Sequence, residues 1–173
     1  LRSFLSSTLV DAFVVVSRRE DMETVRAMAQ KIISGKPLFF AEGGETRMDS
    51  VLAGIEVLPA QTEFVAIHDG ARPLIDPDTV AAVIATAAEC GGAAVAVPVK
   101  DTVKVVRGGI VAETPDRATL RAVQTPQVFD IDLLKAALLQ AEKDGAQVTD
   151  DCSAVELMGF TVKIVEGDER NIK

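Results

Sequence analysis

The sequence predicts an α/β protein with a mostly parallel sheet, helices on both faces of that sheet and a protruding β-arm. Apolar runs of strand length alternate with segments of helical period up to about residue 99, and the pattern then changes to a hairpin-like alternation. Strands that alternate with helices pair in parallel, with helices covering both faces. The 173 residues have the usual size of one domain, so we expect a single domain over residues 1–173.

Four apolar segments are predicted as strands that are buried on both faces, because each is short and rich in aliphatic or aromatic residues. They are AFVVVS (12–17), PLFFAE (37–42), EFVAIHD (63–69) and AAVAVPV (93–99).

Helical segments are predicted between these strands, at 21–33, 49–58 and 77–91. The first has one apolar stripe, made of Val25, Met28, Ala29 and Ile32. The third begins at Pro77, which Asp76 can cap, and ends at Gly91.

The pattern beyond residue 99 predicts a hairpin and then a return to the sheet. The segment DTVKVVRGGIVAET alternates and turns at Gly108 and Gly109, so it is predicted as a β-hairpin that lies outside the main sheet. A short strand at 125–130, a helix at 131–145 capped by Asp130, a shorter helix after TDD and a last strand in TVKIVEG follow.

The charge and the cysteines exclude several classes of function. A net charge of −8 argues against a broad nucleic-acid surface or an anionic membrane partner, although a few converging cations could still bind a small anion. Cys90 and Cys152 lie far apart without a CxxC motif, and His68 is the only histidine, so reduced thiols and no structural zinc are expected. With no apolar run long enough for a membrane and no signal-peptide pattern, we expect a cytoplasmic protein.

The clearest candidate site follows the third predicted strand, in the sequence HDGARP. Ligands of an open parallel sheet bind beyond the carboxyl ends of its strands, where Asp69 and Arg72 are expected. Gly70 would let the backbone turn sharply or approach a ligand. A carboxylate and a guanidinium suit a phosphorylated, hydroxylated ligand or bound Mg²⁺, whereas the alternative is a plain turn with a surface ion pair.

Two further groups of polar residues are weaker signals. The segment EGGETRMDS (42–50) could bind an anion at a helix N-terminus, or it is a glycine turn with Asp49 or Ser50 as the helix cap. Hydroxyls and charges later in the chain could be ligand contacts, or caps and surface groups: Thr102, Thr125, Thr149, Arg117, Arg121 and Lys173. No arrangement of Ser, His and Asp, and no HExxH motif, points to a protein nucleophile or a metalloprotease.

Six motifs come in the order and spacing of one protein family: GGETRMDSV, HDGARP, VPVKDTVK, DR..L...QTPQ.F, VTDD.SA.E..G and V.IVEGDERNIK. From Leu1 to Lys173 the chain resembles the 2-C-methyl-D-erythritol 4-phosphate cytidylyltransferases of the non-mevalonate isoprenoid pathway. The resemblance implies a Rossmann-like nucleotidyltransferase fold, with a β-arm at about residues 99–118 that exchanges contacts in a homodimer.

The resemblance also implies the chemistry. CTP and methylerythritol phosphate give the cytidine diphospho sugar alcohol and pyrophosphate, with Mg²⁺ or another divalent cation. The substrate phosphate attacks the α-phosphorus of CTP directly, so the protein has to orient two polyanions and offset their charge.

Residue roles follow from the matched motifs. Gly44, Glu45 and Ser50 are implied as cytosine and ribose contacts. Asp69, Gly70 and Arg72 are implied to face the sugar-alcohol phosphate and the nucleotide ribose, with Asp69 as an alternative metal ligand.

The remaining roles concern the sugar alcohol and the attacking phosphate. Thr102, Thr125 and Thr149 are implied as hydroxyl contacts to the sugar alcohol and its phosphate. Arg117 and Lys173 are implied to position the attacking phosphate, with Arg117 serving the partner subunit's site. Arg47 and Arg121 are possible supporting charges.

Three alternatives remain open on the sequence. A ribitol-phosphate cytidylyltransferase would share the fold and much of the site, and a non-catalytic dimerisation or regulatory module would keep the fold alone. A nicotinamide dehydrogenase is disfavoured because no GxGxxG motif follows a predicted strand.

The family's N-terminal glycine-rich loop, of the type AAGxGxRM, and its closing helix have no counterpart within these 173 residues. Expressed alone, the 173-residue chain is therefore expected to turn over CTP poorly or not at all, because no loop compensates the β- and γ-phosphate charge. Pyrophosphate release measures this turnover, and a normal rate would contradict the expectation.

Overall fold

The computed structural model describes all 173 residues and contains six helices and eight strands. The helices are α1 (Arg2–Leu5), α2 (Met22–Ile32), α3 (Arg47–Glu56), α4 (Pro77–Cys90), α5 (Ile131–Lys143) and α6 (Asp151–Leu157). The strands are β1 (Phe13–Ser17), β2 (Leu38–Glu42), β3 (Phe64–Ile67), β4 (Gly92–Pro98), β5 (Val105–Arg107), β6 (Ile110–Glu113), β7 (Arg121–Asp130) and β8 (Lys163–Glu166). The predicted order of elements is confirmed, and α1 is an addition that no helical repeat in the sequence had indicated.

The main sheet has four strands in the order β3-β7-β4-β8. Strand β7 is antiparallel to both β3 and β4, and β4 is parallel to β8, so β3, β4 and β8 run in one direction and only β7 runs against them. Strands β1 and β2 pair in parallel as a separate two-stranded sheet. The predicted α/β class with a mostly parallel sheet is confirmed.

Strand β7 is longer than the sequence indicated. The short strand predicted at 125–130 is extended by four residues to Arg121–Asp130. Its central position buries the stretch from Gln124 to Phe129, so polar side chains are enclosed where an alternating pattern would have been expected. Gln124 interrupts the apolar pattern, which is why the sequence did not reveal the full length of the strand.

Helices cover both faces of the main sheet, as predicted. On one face, Val83 and Ala87 of α4 pack with Ala93, Val95 and Val128. On the other face, α5 and α6 pack against the side chains of Ala94 and Phe129. Neighbouring residues of β4 and of β7 therefore serve opposite layers, as the pleat of a strand requires.

The caps predicted for α4 and α5 are present. The Asp76 side chain accepts a hydrogen bond from the Asp78 N–H at 2.8 Å, with Pro77 as the first helical residue. Gly91 ends α4 with a φ of 84°, a left-handed conformation that glycine adopts without strain. The Asp130 carboxylate accepts from the Leu133 N–H at 2.9 Å.

Helix α3 begins two residues earlier than predicted. The cap is Thr46, whose hydroxyl accepts from the Asp49 N–H, while the Asp49 carboxylate accepts from the Thr46 N–H. This reciprocal capping box corrects the expectation that Asp49 or Ser50 caps the helix.

The hairpin of β5 and β6 forms a two-stranded sheet of its own, as predicted. Its apolar side chains lie in solvent: Val106, Ile110 and Val111 are 55%, 74% and 56% exposed. None of the helices is both long and apolar enough to cross a membrane.

A cavity of about 1250 Å³ is lined by both the β1–β2 sheet and the main sheet. Its lining includes residues 12–16 of the β1 segment and 63–67 of the β3 segment, together with residues of α1 and α3. The polar residues among its lining include Arg47, Ser50, His68, Asp69 and Arg72.

Candidate functional site

The carboxylate of Asp69 lies between two cations just beyond the end of β3. Its Oδ2 is 2.9 Å from Lys173 Nζ and 3.8 Å from Arg72 Nε. Burial acts to raise the pKa of Asp69, but the hydrogen bond and charge of Lys173, with the charges of Arg47 and Arg72, lower it overall. Asp69 is therefore ionised at neutral pH and remains partly open to a ligand.

The segment after β8 is anchored so that Lys173 reaches Asp69. The fully buried Asn171 donates from Nδ2 to Gln124 Oε1 and to the Thr125 carbonyl, at 3.0 Å each. Arg72 Nη1 in turn donates to the Asn171 carbonyl at 2.6 Å. Asn171 thus ties the segment that carries Lys173 to strand β7 and to the loop that carries Arg72.

Two polar atoms of this network are buried without a hydrogen-bond partner, namely Arg72 Nε and Asn171 Oδ1. One is a donor and the other an acceptor. A water molecule or a hydroxyl group, which can both donate and accept, has the chemistry that would satisfy them.

Gly167 leads into this segment through a tightly packed position. A Cβ atom there would lie 2.6 Å from Val95 Cγ1 and 2.8 Å from Gln124 Oε1. The backbone therefore approaches the sheet more closely than any residue with a side chain allows.

Arg47, at the start of α3, forms a two-pronged ion pair with Asp151 at the start of α6. Its Nη1 and Nη2 donate to Oδ1 and Oδ2 at 2.7 and 2.6 Å. Asp151 is fully buried and the Arg47 side chain is 39% exposed. Burial opposes the charge of Arg47, but the hydrogen bonds and charge of Asp151 outweigh this, and the pKa of Arg47 is raised.

Gln127 of β7 holds the start of α6 beneath this ion pair. Its Oε1 accepts from the Asp151 and Cys152 N–H groups at 3.1 and 3.2 Å, and its Nε2 donates to Asp150 Oδ2 at 2.9 Å. The motifs TPQ and TDD, which are separate in the sequence, are therefore in direct contact. Burial beside these carboxylates also raises the pKa of the Cys152 thiol well above its usual range, which disfavours the reactive thiolate form.

The loop before α3 packs closely on that helix. A Cβ atom on Gly44 would lie 2.2 Å from the Asp49 Cβ, so glycine is required there. Glu45 is exposed, and Ser50 lines the cavity while its hydroxyl donates to the Thr46 carbonyl at 3.0 Å. At Gly70 neither crowding nor a positive φ demands glycine, so the feature there is open space for a ligand.

The structure brings together only part of the predicted set. Asp69, Arg72, Thr125 and Lys173 form one contact network, and Gly70 and Ser50 line the cavity beside it. Thr102 and Thr149 are exposed.

The two arginines near the arm lie outside that network. Arg117 donates to the Lys100 carbonyl at 2.6 Å, and Arg121 bonds only nearby carbonyls. Sequence reasoning missed three polar residues that hold the site, Gln127, Asp151 and Asn171. Their only signal was that they lie inside the motifs TPQ, TDD and NIK.

Comparisons with known proteins agree on one family. The family model described as 2-C-methyl-D-erythritol 4-phosphate cytidylyltransferase matches residues 1–173. The chain is 45% identical to the protein of that name from Microcystis aeruginosa over 160 residues, which is 92% of this chain and 71% of that protein. It is 42% identical to the one from Caldanaerobacter subterraneus over 175 residues, which is 100% of this chain and 77% of that protein.

A solved structure extends the likeness to three dimensions. The crystal structure of 4-diphosphocytidyl-2C-methyl-D-erythritol synthase from Anaerococcus prevotii has a TM-score of 0.89 to this chain. The two are 30% identical, and the match covers 95% of this chain and 73% of that one. The predicted Rossmann-like nucleotidyltransferase fold is confirmed.

Removing Arg47 is expected to destabilise the protein, because it leaves the buried Asp151 carboxylate without a cation. We expect Arg47→Ala to lower the free energy of unfolding by about 3 kcal/mol, the low end for a broken buried pair, since Arg47 is itself partly exposed. Adding Asp151→Asn should recover part of this loss by removing the unpaired charge. Urea denaturation measures each variant.

The matched control is Arg121→Ala, which removes an exposed arginine that bonds only carbonyl groups. It should change the free energy of unfolding by no more than about 0.5 kcal/mol. An Arg47→Ala variant as stable as this control would show that the ion pair contributes nothing.

Proposed function

Because the chain belongs to the 2-C-methyl-D-erythritol 4-phosphate cytidylyltransferase family, we propose that the residues around Asp69 bind both substrates of its reaction. The enzyme is a nucleotidyltransferase of isoprenoid biosynthesis. A phosphate oxygen of methylerythritol phosphate bonds to the α-phosphorus of CTP, the bond from that phosphorus to the bridging oxygen breaks, and pyrophosphate leaves. The product is 4-diphosphocytidyl-2-C-methyl-D-erythritol.

The observation that carries the assignment of the site is the contact of Asp69 with Lys173 beside Arg72. These charges come from residues far apart in the chain, yet they meet beyond the end of β3, where ligands of such sheets bind. A fixed ammonium next to a guanidinium can stabilise charge on transferring phosphates without forming a covalent intermediate. Lys173 is 61% exposed, so its ammonium can turn from Asp69 to an incoming phosphate.

The remaining contacts are assigned by motif and supported by exposure. Gly44, Glu45 and Ser50 are proposed to contact cytosine and ribose, since Ser50 lines the cavity and Gly44 and Glu45 lie in the loop just before α3. The exposed Thr102 and Thr149 are proposed to bind the sugar alcohol and its phosphate. A direct contact from Thr125 stays a prediction, because its hydroxyl already has two protein partners.

We propose that a divalent cation, either Mg²⁺ or a similar ion, binds together with CTP. The chain has no group of three or more His, Cys, Asp or Glu side chains that could hold a metal by itself. Asp69 nevertheless suits Mg²⁺, which is commonly bound by one or two carboxylates together with substrate phosphates and waters. Both cationic contacts of Asp69 use Oδ2, which leaves Oδ1 for such an ion. When bound, the ion would neutralise phosphate charge.

We further propose a cytoplasmic homodimer. The hairpin of β5 and β6 supports the dimer, because its exposed Val106, Ile110 and Val111 would be covered by a partner subunit. The free thiols of Cys90 and Cys152 support a reducing compartment.

The ribitol-phosphate alternative is not favoured, because the relatives in the comparison carry the methylerythritol name. The protein as its gene encodes it, supplied with CTP and Mg²⁺, should therefore convert methylerythritol phosphate far faster than ribitol phosphate. Product formation followed by ³¹P NMR measures both rates, and a preference for ribitol phosphate would overturn the choice of substrate.

In the same assay Lys173→Met should lower kcat/KM by about 10²–10³-fold, because it removes a cation that stabilises the reacting phosphates. Lys135→Met, which removes an exposed lysine of α5, serves as the matched control and should leave kcat/KM unchanged. Equal activity of the two variants would exclude Lys173 from the site.

Mixing two inactive variants tests whether Arg117 serves the partner subunit. If it does, a hybrid of Arg117→Met and Lys173→Met subunits holds one site with both cations and one with neither. Half of randomly exchanged dimers are hybrids with one intact site in two, so the mixture should regain about a quarter of the wild-type activity. A mixture that stays inactive after confirmed subunit exchange would show that Arg117 acts within its own subunit.

A further inference from the structure

His68 and Thr125 make a set of hydrogen bonds around Asp69 that the proposed substrate contacts do not use. The Asp69 N–H donates to Thr125 Oγ1 at 3.0 Å, and the same oxygen lies 3.0 Å from His68 Nδ1. His68 Nε2 lies 2.9 Å from the carbonyl oxygen of Arg72. The ring of Phe4 packs against the imidazole, with ring centres 4.9 Å apart.

These partners determine where the protons lie. A carbonyl oxygen can only accept, so His68 Nε2 must carry the proton that it donates to Arg72. In the neutral imidazole with its proton on Nε2, Nδ1 is an acceptor. The Thr125 hydroxyl therefore donates to His68 while it accepts from the Asp69 N–H.

Thr125 is almost entirely enclosed, with 5% of its surface exposed, and its single proton is already donated. It can donate to a substrate group only by giving up its hydrogen bond to His68. Thr125 lies on the central strand β7, and its hydroxyl holds the backbone of Asp69 in place.

His68 holds the other end of the same loop. Through Nδ1 it is tied to Thr125 on β7, and through Nε2 it fixes the carbonyl of Arg72, four residues along the chain. Asp69 lies between these two attachments, and Arg72 is itself the second of them. The Arg72 N–H also donates to the Asp69 carbonyl at 3.0 Å, so this turn hydrogen bond and the imidazole ring together hold the backbone of the two residues.

We infer that Thr125 and His68 are positioning residues, which act on the reaction by holding Asp69 and Arg72 at the place where substrate phosphates bind. The inference rests on the proposed roles of Asp69 and Arg72. Displacement of a substrate-orienting group by about 1 Å can cost on the order of 10²-fold in rate, so loss of either hydrogen-bonding side chain should lower the rate through its effect on Asp69 and Arg72.

The principal test compares Thr125→Val with Thr125→Ser in the protein as its gene encodes it. Valine has the shape of threonine but lacks the hydroxyl, and we expect it to lower kcat by 10- to 100-fold with a much smaller change in KM. Serine retains the hydroxyl and should rescue kcat to within about threefold of wild type. Thr86→Val, which removes a hydroxyl that bonds only the Ala82 carbonyl within α4, is the matched control and should leave kcat unchanged.

A double-mutant cycle with Asp69→Asn separates positioning from direct contact. If Thr125 acts through Asp69, Thr125→Val should lower kcat much less in the Asp69→Asn background than in the wild-type background. Losses that simply multiply would overturn the inference and favour direct contact of Thr125 with substrate. An Asp69→Asn variant with full activity would instead refute the proposed role of Asp69, and the inference would fail with its premise.

Two substitutions of His68 separate its two hydrogen bonds. Asparagine places an acceptor near the position of Nδ1, whereas glutamine places a donor near the position of Nε2. His68→Gln should therefore add little loss to Thr125→Val, because both remove the same hydrogen bond, while His68→Asn should add its own loss. If His68→Gln adds a large loss of kcat to Thr125→Val and His68→Asn adds little, the proposed pattern of hydrogen bonds is wrong.

Thermal melting and calorimetric titration with CTP accompany every variant. A variant with a lowered melting temperature but wild-type kcat per folded molecule would show a purely structural role and overturn the inference. Reduced kcat with a CTP dissociation constant within about threefold of wild type is the expected result, since positioning acts mainly on the transition state.

Discussion

The site depends on polar side chains that are buried in the central strand β7. A polar group without a partner in the interior costs free energy, so each such side chain must find a hydrogen bond at a defined place. Gln124 bonds the Asp168 carbonyl and Asn171, Thr125 bonds the Asp69 N–H and His68, and Gln127 bonds the start of α6. Three nearby positions on one strand thus hold three separate segments in place.

This arrangement suits a reaction in which the protein supplies orientation and charge. The chain as a whole is acidic, with a net charge of −8, but several cations lie close together around Asp69. Each of them is paired with a carboxylate, which offsets the repulsion between their positive charges. Arg47 is held by Asp151, while Lys173 and Arg72 lie against Asp69. At the proposed site, carboxylates that pair with these cations would keep them in place before substrate arrives, which would reduce the reorganisation needed when phosphate charge develops.

The sequence predicted most elements and the centre of the site, because both follow from local rules. Helix α4 was recognisable from Asp76, Pro77 and Gly91, and Asp69 was recognisable as an acid at the end of an apolar strand. Strand β7 was underestimated, because the buried Gln124 looks like a surface residue until its partners are known. Asn171 and Asp151 were missed for the same reason, since a polar residue becomes structural only through tertiary contacts.

The close packing at Gly167 limits how this protein can vary. A single added methyl group would clash with Val95 of β4 and with Gln124 of β7. The Gln124 side chain accepts a hydrogen bond from Asn171 and so holds that residue in place. Natural variants at this position would therefore disturb Lys173, six residues further along the chain, without altering any ligand-binding side chain. Loss of activity in such an allele would originate from crowding in the interior rather than from altered chemistry.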